Sequence, residues 1–76
     1  MDSSIRQIMS EIFSIPIEDI DSKSSMDSIS SWDSLAHLQL LIQLEEKFST
    51  SFNERDTISM TSFEEIRKIL VDKISK

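Results

Sequence analysis

The chain has no cysteine, no glycine and no tyrosine, and only one proline and one tryptophan, among its 76 residues. Without cysteine there is no disulfide framework, no thiolate zinc site and no cysteine nucleophile, and nothing demands an oxidising compartment. The missing glycine bears on three patterns. Helix ends must form without the usual left-handed residue. Asp19 and Asp21 outline a calcium loop that lacks both its turn glycine and its terminal bidentate glutamate, so no metal is expected. A serine-hydrolase elbow, whose glycines shape an oxyanion hole, has no material from which to form. Apolar runs are short as well: none approaches the roughly 20 residues that span a bilayer, and Met1-Asp2-Ser3-Ser4-Ile5-Arg6 lacks the basic region and apolar core of a signal peptide. A soluble, cytoplasmic protein with no membrane insertion is the expectation.

Basic residues are scarce where acids are dense. The net charge is −6, but from Glu11 to Glu46 eight acids meet only Lys23, a local charge of −7, whereas Glu54 to Lys76 is balanced. An acidic middle repels nucleic acid and anionic membrane, whose recognition needs a basic face. It favours a partner with a basic patch through steering of the encounter, or serves solubility alone. The length fits a single domain, 1–76, and a body of this size buries only about 60% of its unfolded surface, which leaves little room for an enclosed active site.

Ile5, Ile8, Met9, Ile12 and Phe13 recur at i, i+3, i+4, i+7 and i+8, which predicts a first helix over 3–14 capped by Ser3 or Ser4. Pro16 ends it. Residues 15–33 form a long serine-rich connection, of a length that is functional or disordered more often than compact; Ile15, Ile17, Ile20, Met26 and Ile29 are placed to anchor it across the helices. A second helix over 34–48 starts at Asp33, whose carboxylate suits the N-cap. At 100° per residue, Leu40, Leu41, Leu44 and Phe48 share a core arc with His37, while Ala36, Gln39, Gln43 and Lys47 gather on the watery side. Leu35, Leu38 and Ile42 form a second apolar arc bordered by Ser34 and Glu45. That arc is either further core or an exposed patch that meets a partner. Phe52 follows the turn as a core plug, and Asn53 to Ile58 allows a short third helix. A last helix opens with a capping box, Thr61 with Glu64 or Ser62 with Glu65, and continues through Phe63, Ile66, Ile69, Leu70 and Ile74 to Lys73 and Lys76, cations suited to its C-terminal end. The expected class is all-α: a small four-helix bundle of three long helices and one short, with a long loop between helices 1 and 2.

Among sixteen serines, Ser34 stands apart by position. It opens a helix directly after an acidic cap and before an apolar arc, where free N–H groups and the helix dipole favour a phosphate carried on its hydroxyl. The run Asp33-Ser34-Leu35, followed by Leu38, Leu41 and Leu44-Glu45-Glu46-Lys47-Phe48, resembles the acyl carrier proteins. The likeness extends from the first helix through Ile17-Glu18-Asp19-Ile20 and Met26 to Thr61-Ser62-Phe63-Glu64-Glu65-Ile66. The resemblance implies a non-catalytic carrier, a monomer, in which Ser34 receives 4'-phosphopantetheine from coenzyme A by a phosphopantetheinyl transferase. The thiol of that arm then carries acyl groups as thioesters between acyl-loading and acyl-processing enzymes. It also implies that basic patches of those enzymes dock on the second helix, at Leu35, Leu38 and Ile42 with Asp33, Glu45 and Glu46 as an acidic fringe.

Departures from the family pattern narrow this. Ser31 and Trp32 stand where a glycine is common, and Ala36 and Gln39 replace acids usual in fatty-acid carriers. Trp32 and His37-Leu38 look more like carriers of a specialised polyketide-like, lipid or polysaccharide pathway, although Trp32 equally suits a loop anchor. An aminoacyl or peptidyl carrier and an unmodified acidic helical adaptor are the alternatives. His37, one turn after Ser34, is positioned as a base would be, but no residue orients it. A half-buried histidine at the edge of the core arc remains, with contact to the arm's phosphate as its candidate role.

Overall fold

The computed structural model describes residues 2–74. Its elements are α1 (Asp2–Phe13), a 3-10 turn (Ile17–Asp19), α2 (Ser34–Phe48), α3 (Glu54–Ser59) and α4 (Phe63–Ile74). This is the expected all-helical bundle of three long helices and one short. Among the described residues the only β pairing is an isolated bridge between Ser25 and Ser62, and no helix is long and apolar enough to cross a membrane.

Helix α1 buries Ile5, Ile8, Met9 and Phe13 of the predicted stripe, and its fifth member, Ile12, packs partly against the core. It begins one residue earlier than expected, so Ser3 and Ser4 lie inside its first turn and are not caps. It also ends one residue earlier, because Ser14 turns left-handed at φ 56°. The Ile15 N–H then reaches the Ser10 carbonyl at 3.2 Å. Helix α2 closes in the same way: Ser49 has φ 51°, and the Thr50 N–H bonds the Glu45 carbonyl at 3.1 Å. Each is the six-to-one bond of a Schellman end, made here with serine in the place glycine usually takes.

The connection from α1 to α2 is ordered by its own short bonds. Asp21 Oδ1 accepts from the Lys23 N–H at 2.8 Å, and the buried Ser24 accepts from the Asp21 N–H at 2.9 Å. The segment also pairs with the residues before α4: the Met26 N–H bonds the Thr61 carbonyl at 3.0 Å, and the Phe63 N–H bonds the Ser24 carbonyl at 2.9 Å. Of the five expected anchors, Ile20 and Ile29 are buried and Ile15 and Met26 pack partly against the core. Ile17 does not anchor. It opens the 3-10 turn and is exposed.

Fully buried Ile5, Met9, Ile20, Leu40, Leu44, Met60, Ile66 and Leu70 make one core shared by α1, α2, α4 and the long connection. Ala36, assigned above to the watery side of α2, is buried as well. It belongs to the same buried cluster as Trp32 of the connection, and angular position about one helix does not register cover from elsewhere in the chain. Phe52 is half-buried against the core, as expected of a plug.

Helix α3 opens with a capping box: Asn53 Oδ1 accepts from the Asp56 N–H at 2.7 Å, and Asp56 Oδ2 accepts from the Asn53 N–H at 3.1 Å. At α4 the cap is Ser62, whose hydroxyl accepts from the Glu65 N–H at 3.2 Å. Lys73 ends α4 in an ion pair with Asp56, 2.8 Å apart, which ties α4 to α3. Lys76 lies outside the described residues.

Candidate functional site

The N-terminus of α2 is built by Asp33. Its backbone is extended (φ −100°, ψ −173°), its Oδ1 accepts from the Ala36 N–H at 2.9 Å, and its carbonyl accepts from the His37 N–H at 2.8 Å. The bond from His37 is the first of the helix itself, and the cap satisfies one of the four N–H groups that a helix start leaves free, that of Ala36; those of Ser34 and Leu35 remain for an anion outside. Ser34 is exposed. Because the aspartate provides the cap, the helix does not need the serine hydroxyl, which is left for chemistry.

The two residues before Asp33 hold this start against α1. The Ser31 hydroxyl donates to the Phe13 carbonyl at 2.8 Å, one of the carbonyls that the end of α1 leaves open. Trp32 is buried and stacks on Phe13 with ring centroids 4.8 Å apart and planes inclined by 27°. It is a loop anchor. Its indole N–H donates to His37 Nδ1 at 3.1 Å. An indole nitrogen only donates, so Nδ1 is the acceptor and Nε2 carries the ring proton. The latter lies 2.8 Å from the Thr57 carbonyl and donates to it.

Trp32, His37 and Thr57 thus form a relay from the connection through α2 to α3. Both imidazole nitrogens are committed, so His37 is neither a base for Ser34 nor a ligand for a phosphate on it. The sequence held no sign of this relay beyond the two residue types, because its members lie 5 and 20 positions apart.

The second apolar arc of α2 faces solvent. Leu35, Leu38 and Ile42 are 66%, 55% and 48% exposed, which decides between core and patch in favour of the patch. Of its acids, Asp33 and Glu46 are exposed, with the Asp33 carboxylate also serving the cap. Glu45 is half-buried, and its Oε2 accepts from the Phe52 N–H at 2.8 Å. Its carboxylate is therefore part of the turn into α3 as well as of the acidic fringe. Ile58, which follows the relay residue Thr57 on α3, is 69% exposed. Its signal in the sequence is an isoleucine with Glu54 and Arg55 at the preceding helical positions and no apolar partner.

An exposed hydroxyl at a helix start, with two free N–H groups beside it and no side chain covering it, fits a phosphodiester-linked arm. Such a group supplies a thiol at the end of a flexible chain. What this chain would supply there is the hydroxyl and the amide and dipole field around it.

Comparison with known proteins agrees with this geometry. No curated protein matches the chain. A family model described as a phosphopantetheine attachment site matches residues 3–70, nearly the whole length and all four helices up to the last turn of α4. The chain therefore belongs to the phosphopantetheine-binding carrier family, consistent with an acyl carrier protein, and its prosthetic group is 4'-phosphopantetheine.

Proposed function

We propose that Ser34 is the attachment residue, and that the protein carries acyl thioesters for a specialised pathway rather than for general fatty-acid synthesis. The observation that carries the first part is the division of labour at the start of α2: Asp33 caps while Ser34 stands exposed beside free N–H groups. The proton lost by Ser34 passes to a base on the transferase, since the imidazole closest in sequence has both nitrogens in use. Catalysis then belongs to partner enzymes, and this chain delivers the cargo.

The specialised reading is supported by the first turns of α2. Ala36 is buried, so an acid common there in fatty-acid carriers would be desolvated in this fold. Trp32 and His37 are joined into one relay. The partner face is the exposed patch of Leu35, Leu38 and Ile42 with Asp33, Glu45 and Glu46 at its fringe, suited to an apolar surface rimmed by basic residues.

Intact mass after incubation with coenzyme A and a phosphopantetheinyl transferase tests the attachment. The wild-type chain gains one phosphopantetheine and Ser34→Ala gains none. An unmodified wild type, or a modified Ser34→Ala, overturns the assignment.

A further inference from the structure

We infer that the cargo stays outside the helical bundle, and that the Trp32–His37–Thr57 relay closes the route between α2 and α3 by which a hydrocarbon chain would enter; the inference rests on Ser34 bearing the arm. The class of cargo follows. A chain that cannot shelter in the core leaves its methylenes in water, so the fold favours short or polar acyl groups over long apolar ones.

Three observations converge. First, α3 is fastened to α2 near both ends of the seam. His37 holds Thr57 near the end of α3, and Glu45 holds Phe52 just before its start. The two fastenings are eight residues apart on α2, about 12 Å, which exceeds the length of the six-residue α3 itself. A chain hung from Ser34 meets the first of them one turn away. Second, the interior beyond is filled. Leu40, Leu44, Met60, Ile66 and Leu70 are fully buried, and Trp32, two residues before Ser34, is itself buried in a stack on Phe13. The surface hollows of about 390 Å³ at Glu54, Arg55, Ile58 and Ser59 and about 420 Å³ at Arg67, Lys68, Val71 and Asp72 are shallow, and each is lined by a single helix. Neither leads between α2 and α3. Third, opening the seam strands polar groups. If α3 moves away, the His37 Nε2–H and the Thr57 carbonyl lose each other, and a displaced imidazole also leaves the buried Trp32 N–H without an acceptor.

The test compares wild type and His37→Leu, a change that removes the polar relay but keeps apolar volume. Each protein is loaded on Ser34 with an acetyl or an octanoyl arm, and intact mass with a Ser34→Ala control establishes the loading before anything else is read. Thermal unfolding and the methyl resonances of Leu44, Met60, Ile66 and Leu70 are then measured. In the wild type, acetyl and octanoyl forms should melt together and show the same core resonances. In His37→Leu, the octanoyl form should melt above the acetyl form and shift those resonances. His37→Phe, which keeps a ring and loses both polar contacts, serves the same comparison should His37→Leu fail to fold. An octanoyl arm that raises the wild-type melting temperature and moves its core resonances overturns the inference. Equal behaviour of both arms in the variants overturns the gating role of the relay. A mass result without loading on Ser34 would instead overturn the attachment reading.

Discussion

Ser14 and Ser49 show what the absence of glycine does to individual residues. Both hold a left-handed backbone at a helix end, a conformation that costs a residue with a Cβ roughly 1–2 kcal/mol and glycine almost nothing. Ser14→Gly and Ser49→Gly should each stabilise the protein by about 0.5–1 kcal/mol, the gain being reduced by the greater freedom of glycine in the unfolded chain; urea titration at constant m-value measures it. Glu45 and Glu46 are adjacent acids with different work. The first satisfies the Phe52 N–H and the second is exposed. Glu45→Ala should therefore cost about 1 kcal/mol of stability, while Glu46→Ala should leave the urea midpoint where it is. Equal effects of the two changes would contradict the hydrogen-bond assignment.

Among the elements, α3 is the least self-sufficient. Six residues are too few for an independent helix, and none of them is buried. It is held by its capping box, by the two fastenings to α2 and by the Asp56–Lys73 pair to α4. Asp56 is held below the ordinary carboxylate range, chiefly by its hydrogen bond from Lys73; partial burial opposes this, and the Asn53 N–H and the charges of Lys73 and Arg55 add to it. A carboxyl lowered in the folded state contributes stability that is fully present above its unfolded value, near 4, and is lost as pH falls through the lower folded value. The side chains of the pair are only 18–24% exposed, and the contribution should be of order 1 kcal/mol, near the upper end for surface pairs. Lys73→Met should lower stability at pH 7, and the difference from wild type should shrink below about pH 4, as chemical denaturation across that range would show. A difference independent of pH would mean that the lysine acts through packing alone.

For the whole molecule, the long connection determines the shape. The radius of gyration is 11.2 Å, close to the roughly 11.4 Å expected of a compact chain of this length, so residues 15–33 lie against the body. On α2 the apolar patch of Leu35, Leu38 and Ile42 lies between the exposed acids Asp33 and Glu46 in the chain. Association with a basic partner such as the transferase should slow as salt rises through the physiological range, where the screening length is about 8 Å. Glu46→Lys should lower the association rate and its salt dependence while leaving the dissociation rate nearly unchanged, the pattern of a rim charge. Stopped-flow binding at two ionic strengths reads both. An altered dissociation rate with an unaltered association rate would place Glu46 inside the contact.

What the sequence determined by itself was local. Asp33 as the cap of α2, the bounds Ser34 to Phe48, the stripe of α1 and the character of Ser34 as a first-turn hydroxyl all follow from bonds and periodicities spanning a few residues, and the folded chain keeps them. Tertiary structure decided which side of α2 faces water. Periodicity fixes angles about a helix axis but not where the other helices and the connection stand, so Leu35, Leu38 and Ile42 could be core or surface until α3 and α4 were placed, and Ala36 looked wet although the folded chain buries it. It decided equally that His37 joins α2 to α3 and has no part in chemistry at Ser34. Hydrogen bonds between residues distant in sequence exist only after the chain has brought them together.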